Sequence, residues 1–140
     1  MKDEHMKCKL IEFETKGNRE GKLIAIEEKT DIPFEIKRVF YIFDSDCDII
    51  RGQHANRESE FILICIKGSC KIRTIWKDEV QVYELNDRRY GLYLPKMMWK
   101  DMYDFSEDAI LLVLSSEHYD ASEYINDMKM YQEEIGCYEE

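Results

Sequence analysis

Apolar and polar residues alternate along most of the chain in short runs broken by turn residues. The runs are 22–28 (KLIAIEE), 36–44 (IKRVFYIFD), 61–68 (FILICIKG), 70–76 (CKIRTIW), 79–85 (EVQVYEL), 91–95 (GLYLP) and 109–116 (AILLVLSS). Period-two alternation rich in Val, Ile, Tyr and Phe predicts strands. The breaks at 77–79 (KDE), 86–91 (NDRRYG) and 105–108 (FSED) predict turns. In 70–76 the alternation puts Ile72 inward. In 79–85 it suggests Val80, Val82 and Leu85 inward, against Gln81, Tyr83 and Glu84. Many short strands in one small unit make a barrel or sandwich, so the fold class is all-β. The end of the chain changes period. In 122–135 (SEYINDMKMYQEEI), Tyr124, Ile125, Met128, Tyr131 and Ile135 recur at helical spacing. Ser122 is the expected cap, Glu123 sits in the first turn, and Gly136 closes the helix. Its Met and Tyr stripe is expected to pack on the barrel.

A length of 140 residues suits one domain, 1–140, and no linker-like stretch divides it. The formal net charge is -10, with no block of cations to meet a phosphate backbone, so a nucleic-acid role is not expected. The longest apolar run is strand-sized and the charged N-terminus is unlike a signal peptide. A cytoplasmic protein with no membrane partner is expected. The five cysteines, Cys8, Cys47, Cys65, Cys70 and Cys137, form no C-x-x-C pair, which argues against a disulfide framework or a zinc site. Cys65 reads as a buried small hydrophobe.

The candidate chemistry gathers around 49–70 (IIRGQHANRESEFILICIKGSC). β-Barrel metal proteins of the cupin type carry G-x(5)-H-x-H-x(3–4)-E-x(6)-G. Here the frame offers His54, Asn56, Glu60 and Gly68, so an amide stands at the second imidazole. The later segment 91–102 (GLYLPKMMWKDM) has no histidine. One His and one Glu do not hold a transition metal tightly. The reading is a barrel without metal or cofactor. A lone imidazole can still take and return a proton near neutrality. Arg38, Arg51 and Lys71 lie in or beside strands, where a lumen-facing cation calls for an anionic ligand. A base beside phosphate-binding cations suggests proton transfer on a nucleotide-linked or phosphorylated substrate. Alternation alone leaves open whether these cations face inward. His5, in the charged terminus, and His118, before the helix, are not expected to be catalytic.

The segments IPFEIKRVFYIFD, RGQHANRE, GSCKI and the stretch from LNDRRYG to SEYI resemble the sugar 3,4-ketoisomerases of the cupin superfamily, over about Lys9 to Met130. The resemblance implies a small cupin (jelly-roll) β-barrel with a C-terminal helix. It also implies a homodimer with an exchanged N-terminal segment, consistent with a short strand at 9–14 (KLIEFE) covering an edge. The implied substrate is dTDP-4-keto-6-deoxyglucose, a dTDP-linked 4-keto-6-deoxyhexose. Its ketone moves from C4 to C3, and the product goes to an aminotransferase making a 3-amino-3,6-dideoxyhexose for surface glycans such as lipopolysaccharide.

The family's R-G-x-H-A-H-K motif falls on Arg51 to Arg57, keeping the base as His54 and replacing the second His with Asn56. Its K-R-V-Y-Y falls on Lys37 to Tyr41, with Phe40 at one tyrosine. Its V-W-H-E-M becomes Met98, Trp99, Lys100, Asp101 and Met102. The implied mechanism has His54 removing the C3 proton to give an enediol or enediolate. Tyr41 and Asn56 are the expected oxyanion donors, completing a catalytic set of His54, Tyr41 and Asn56. Arg38 and Arg51 are expected on the diphosphate, with Lys71 as a weaker candidate and Trp99 or Tyr103 either stacking on thymine or packing. With an amide at position 56, the C4 proton is expected from His54 itself or from water. The alternatives are a sugar-nucleotide 3,5-epimerase, a non-catalytic sugar-nucleotide-binding cupin and a metal-dependent oxygenase.

Overall fold

A computed structural model describes residues 8–138. Two five-stranded antiparallel sheets face each other in a jelly-roll-like sandwich. The first runs in the order β1 (Lys9–Glu12), β9 (Tyr90–Leu94), β6 (Phe61–Lys67), β11 (Ile110–Ser115), β4 (Arg38–Phe43). The second runs β12 (Tyr124–Ile125), β5 (Arg51–Asn56), β10 (Trp99–Tyr103), β7 (Cys70–Trp76), β8 (Glu79–Leu85). A separate hairpin pairs β2 (Lys16–Asn18) with β3 (Gly21–Leu23). Helix α1 (Met128–Gly136) follows.

Alternation sorts the strand residues into three apolar layers. Phe61, Leu63, Cys65, Leu92, Leu94, Leu111 and Val113 from the first sheet meet Cys70, Ile72, Leu85, Met98 and Met102 from the second. On the far side of the first sheet, Ile62, Ile64, Tyr93 and Leu114 pack under Phe13, Ile32 and Phe34. Because β6 is covered on both faces, its first five residues are all buried. On the far side of the second sheet, Ala55, Trp99 and Ile125 pack against Tyr131 and Ile135 of α1.

Several expectations change. In β8 the inward residues are Tyr83 and Leu85, opposite Ile72 and Cys70, while Val80 and Val82 are exposed. Strand parity separates Leu85 from both valines, and the valines occupy the outer face of an edge strand. Pairing of β3 stops at Leu23, and Ile24 and Ile26 pack against the outer layer from an unpaired segment. The helix begins later than its periodicity implies. Asp120, rather than Ser122, caps a 3-10 turn at Ala121–Glu123, accepting from the Ser122 amide. Tyr124 and Ile125 then extend the second sheet, and Asp127 caps α1 through the Met130 amide. His5 lies outside the described residues.

Candidate active site

A bulge sets the site's position. Lys100 pairs with His54 and Asp101 pairs with Gly52, so Gln53 is extra in β5. Gly52 and Gln53 both have positive φ, of 83° and 56°. A Cβ at Gly52 would stand 3.0 Å from the Lys100 carbonyl oxygen, so glycine suits both the φ and the close approach. The bulge turns His54 back over its own strand, and His54 Nδ1 lies 3.0 Å from the Gly52 carbonyl oxygen. A carbonyl can only accept. Nδ1 therefore carries the proton, which leaves the Nε2 lone pair as the basic atom.

His54, Asn56 and Lys100 share the inner face of the second sheet. Lys100 lies between Met98 and Met102 in the strand pattern, opposite both His54 and Thr74. It is only 4% exposed. Its Nζ donates to Asn56 Oδ1 at 3.1 Å and stands 4.5 Å above the Phe61 ring. Asn56 is 2% exposed, and its Nδ2 is buried with no hydrogen-bond partner among the described residues. Tyr124 pairs with Asn56 across β12, and its ring centroid is 4.5 Å from that of His54. Tyr119 meets Tyr124 edge-on at 5.9 Å, and the Arg38 guanidinium lies 5.1 Å over Tyr119 and 4.4 Å over Phe40. A continuous row thus runs from Arg38 through the two tyrosines to His54, Asn56 and Lys100.

Burial, reinforced by the Lys100 charge, lowers the His54 pKa to about 4, so the imidazole is neutral at physiological pH. Burial lowers the Lys100 pKa to about 7, with the Glu123 carboxyl pulling the other way. Glu123 accepts from the Glu58 and Ser59 amides and the Ser59 hydroxyl, which ties the turn after β5 to the segment carrying Tyr124.

The structure brings together only part of the expected residue set. His54, Asn56 and Arg38 face this inner row, and Arg51 is exposed on β5 opposite Met102. Tyr41 does not join them. It lies on the outer face of β4, 61% exposed and beside Phe43, because Arg38, Phe40 and Ile42 take the inner positions. The inner seat next to Arg38 thus holds Phe40, which has no hydroxyl. Trp99 faces away from Lys100, packs on Tyr131 at 5.5 Å between ring centroids and donates to Asp101. Lys71 is paired with Asp104 at 3.3 Å on the face that carries Tyr103, whose ring lies under Arg73. Glu60 accepts from the Tyr93 hydroxyl, in the outer layer rather than beside His54. Among the described residues no three His, Cys, Asp or Glu side chains converge as ligands would. His118 is exposed. Sequence reasoning missed Lys100, Tyr119 and Tyr124.

A family model described as FdtA: WxcM-like, C-terminal matches residues 6–136. The chain belongs to this family. The FdtA/WxcM-like relatives include the TDP-4-oxo-6-deoxy-alpha-D-glucose-3,4-oxoisomerase of Aneurinibacillus thermoaerophilus. It is 38% identical over 131 residues, covering 94% of this chain and 94% of the relative. A 3,4-ketoisomerase from Helicobacter canadensis superposes with a TM-score of 0.90 at 41% identity, covering 94% of this chain and 99% of that one. A mutant of the 3,4-ketoisomerase QdtA from Thermoanaerobacterium thermosaccharolyticum, in complex with TDP-4-keto-6-deoxyglucose, gives 0.89 at 44% identity, covering 91% and 93%.

Proposed function

We propose that this chain is a dTDP-sugar 3,4-ketoisomerase that moves the ketone of dTDP-4-keto-6-deoxyglucose from C4 to C3. The observation that carries the reading is the state of His54. Its Nδ1 proton is committed to the Gly52 carbonyl, and burial keeps the ring neutral, so Nε2 is a ready base at neutral pH. The C3 hydrogen lies α to the C4 ketone and is acidic. Nε2 removes it, the bonding pair forms C3=C4, and O4 becomes an oxyanion. Asn56 Nδ2, buried without a partner, is a fixed donor for that oxygen. The proton of O3 passes to O4, C3=O forms, and C4 takes up a proton.

Arg38 and Arg51 are the proposed diphosphate contacts, and binding energy from that remote group positions the sugar. The Tyr119 ring, 64% exposed beside the Arg38 guanidinium, offers a face for the thymine in place of Trp99 or Tyr103. Tyr124 holds the imidazole plane. The route calls on no metal or redox cofactor. A homodimer is also proposed, supported by the apolar outer face of edge strand β4, where Val39, Tyr41 and Phe43 are 56%, 61% and 57% exposed. No helix among the described residues is long and apolar enough to cross a membrane. We place the reaction in the cytoplasm, where nucleotide sugars are made, and assign its product to an aminotransferase step in deoxysugar biosynthesis.

The test follows substrate labelled with carbon-13 at C4 by NMR. The carbonyl signal of the labelled carbon should give way to that of a carbinol as the ketone moves to C3. His54→Asn should slow this by about 10²–10⁴-fold, with little change in nucleotide affinity. An unchanged carbonyl in the wild-type protein, or near-normal turnover in His54→Asn, contradicts the reading.

A further inference from the structure

Isomerisation needs one proton taken from carbon and one delivered to carbon, and His54 accounts for the first. Where the family pattern has a second imidazole, Asn56 supplies an amide, which neither gains nor loses a proton near neutrality. The structure places an amine directly beside that amide. Lys100 lies opposite His54 in the β5–β10 register, is 4% exposed, and has Asn56 Oδ1 as its hydrogen-bond acceptor. A lysine sealed in a core without an ion pair is costly. None of the salt bridges among the described residues includes Lys100. The groups facing it are His54 and Asn56 from β5, Phe61 from β6, Thr74 from β7, Tyr124 from β12 and Glu123 from the preceding turn. Glu123 is spent on the amides of Glu58 and Ser59. The orphaned Asn56 Nδ2 is a second unused donor at the same point.

We propose that Lys100 is the catalytic acid that delivers the proton to C4, held in place by Asn56. This rests on the isomerase reading above. His54 Nε2 takes H3, and the C3–H pair becomes the C3=C4 bond while the ketone becomes an oxyanion at O4. The O3 proton passes to O4. The lone pair on O3 then closes C3=O, and the C3=C4 pair takes a proton from the Lys100 ammonium at C4. The ketone is now at C3, with imidazolium at His54 and a neutral amine at Lys100. Water resets both: His54, with a pKa near 4, sheds its proton, and Lys100, near 7, regains one. Between those values the resting enzyme has its base free and its acid loaded.

The placement also fixes a face. His54 and Lys100 rise side by side from one wall of the sandwich, so they reach the same face of the sugar ring. In a gluco-configured ring the hydrogens on C3 and C4 lie on opposite faces. Delivery from the wall that took H3 puts the new hydrogen on the face H3 left, so O4 becomes axial and the product is galacto-configured.

The experiment runs wild type, Lys100→Gln and Lys100→Arg in deuterium oxide with dTDP-4-keto-6-deoxyglucose, read by NMR. Wild type should give a galacto-configured 3-ketone with deuterium at C4. Lys100→Gln keeps a donor for Asn56. It should transfer the ketone at least ~10²-fold more slowly yet still exchange H3 for deuterium, which shows a folded site with a working base. Lys100→Arg keeps the charge but cannot release a proton, and should behave the same way. Ketone transfer at the wild-type rate in Lys100→Gln, rescue by Lys100→Arg, or a gluco product overturns the proposal. A wild-type protein that washes out H3 but leaves the ketone at C4 overturns the isomerase reading, and the role of Lys100 falls with it.

Discussion

His54 and Lys100 owe their chemistry to the same sealed interior, and their pKa values move in the same direction. Each is lowered below its value in the unfolded chain. From the ordinary lysine value of 10.5 down to about 7, the unfolded chain holds more protons at this position than the folded one. The contribution of Lys100 to stability therefore rises with pH across that window, and its penalty is complete below about 7. His54 adds a similar penalty as pH falls from 6.5 towards about 4. Lys100→Gln should therefore be more stable than wild type at pH 6, by on the order of a few kcal/mol, and the gap should close by pH 10. Calorimetry across that range checks it, and a gap that widens with pH would contradict the burial of a titrating amine. The kcat/KM profile should hold its acid limb near pH 4 rather than 6.5. The motif frame made His54 legible from the sequence. Lys100 was not, because a lysine in MMWKDM reads as solvated. The signal was parity: Met98 and Met102 flank it at two-residue spacing on the inner face. Tyr41 came from the motif alone, because both faces of β4 are apolar and only the packing shows that Phe40 is inside.

At the scale of elements, the bulge in β5 and the helix behind it aim the base. Alanine at Gly52 meets both a φ of 83° and the Lys100 carbonyl. Gly52→Ala should cost about 1–3 kcal/mol and should lower kcat more than affinity, because the carbonyl that fixes the His54 tautomer moves. Denaturant melts and steady-state kinetics on one preparation would show both effects, and an unperturbed kcat would argue against the tautomer role. Helix α1 presses Tyr131 and Ile135 onto Trp99 and Ala55, directly behind His54 and Lys100. Arg57, just past β5, forks onto Glu134 of α1 at 2.8 and 3.0 Å. Tyr131→Ala should cost about 3–5 kcal/mol in an equilibrium unfolding experiment. The strands and the C-terminal helix were readable from periodicity. The helix start was not, because Tyr124 and Ile125 fit both periods and the sheet took them, leaving Asp127 as the cap.

At the scale of the whole molecule, the sandwich leaves an apolar stripe on β4 that the proposed homodimer would cover. Charge there should oppose association. Phe43→Asp should shift the sedimentation coefficient from dimer towards monomer without unfolding the chain, and an unchanged dimer would place the interface elsewhere. The sequence pattern could not reveal this stripe, since alternation does not tell an outer apolar face from an inner one. Above all, the inner row is proposed to perform a 3,4-isomerisation begun by His54. The most direct measurement is NMR of the product formed by the wild-type protein from dTDP-4-keto-6-deoxyglucose in deuterium oxide. The product should carry a ketone at C3, deuterium at C4 and hydrogen retained at C5. Deuterium at C5, as an epimerase would leave, or a substrate returned with both C3 and C5 unlabelled, would contradict it.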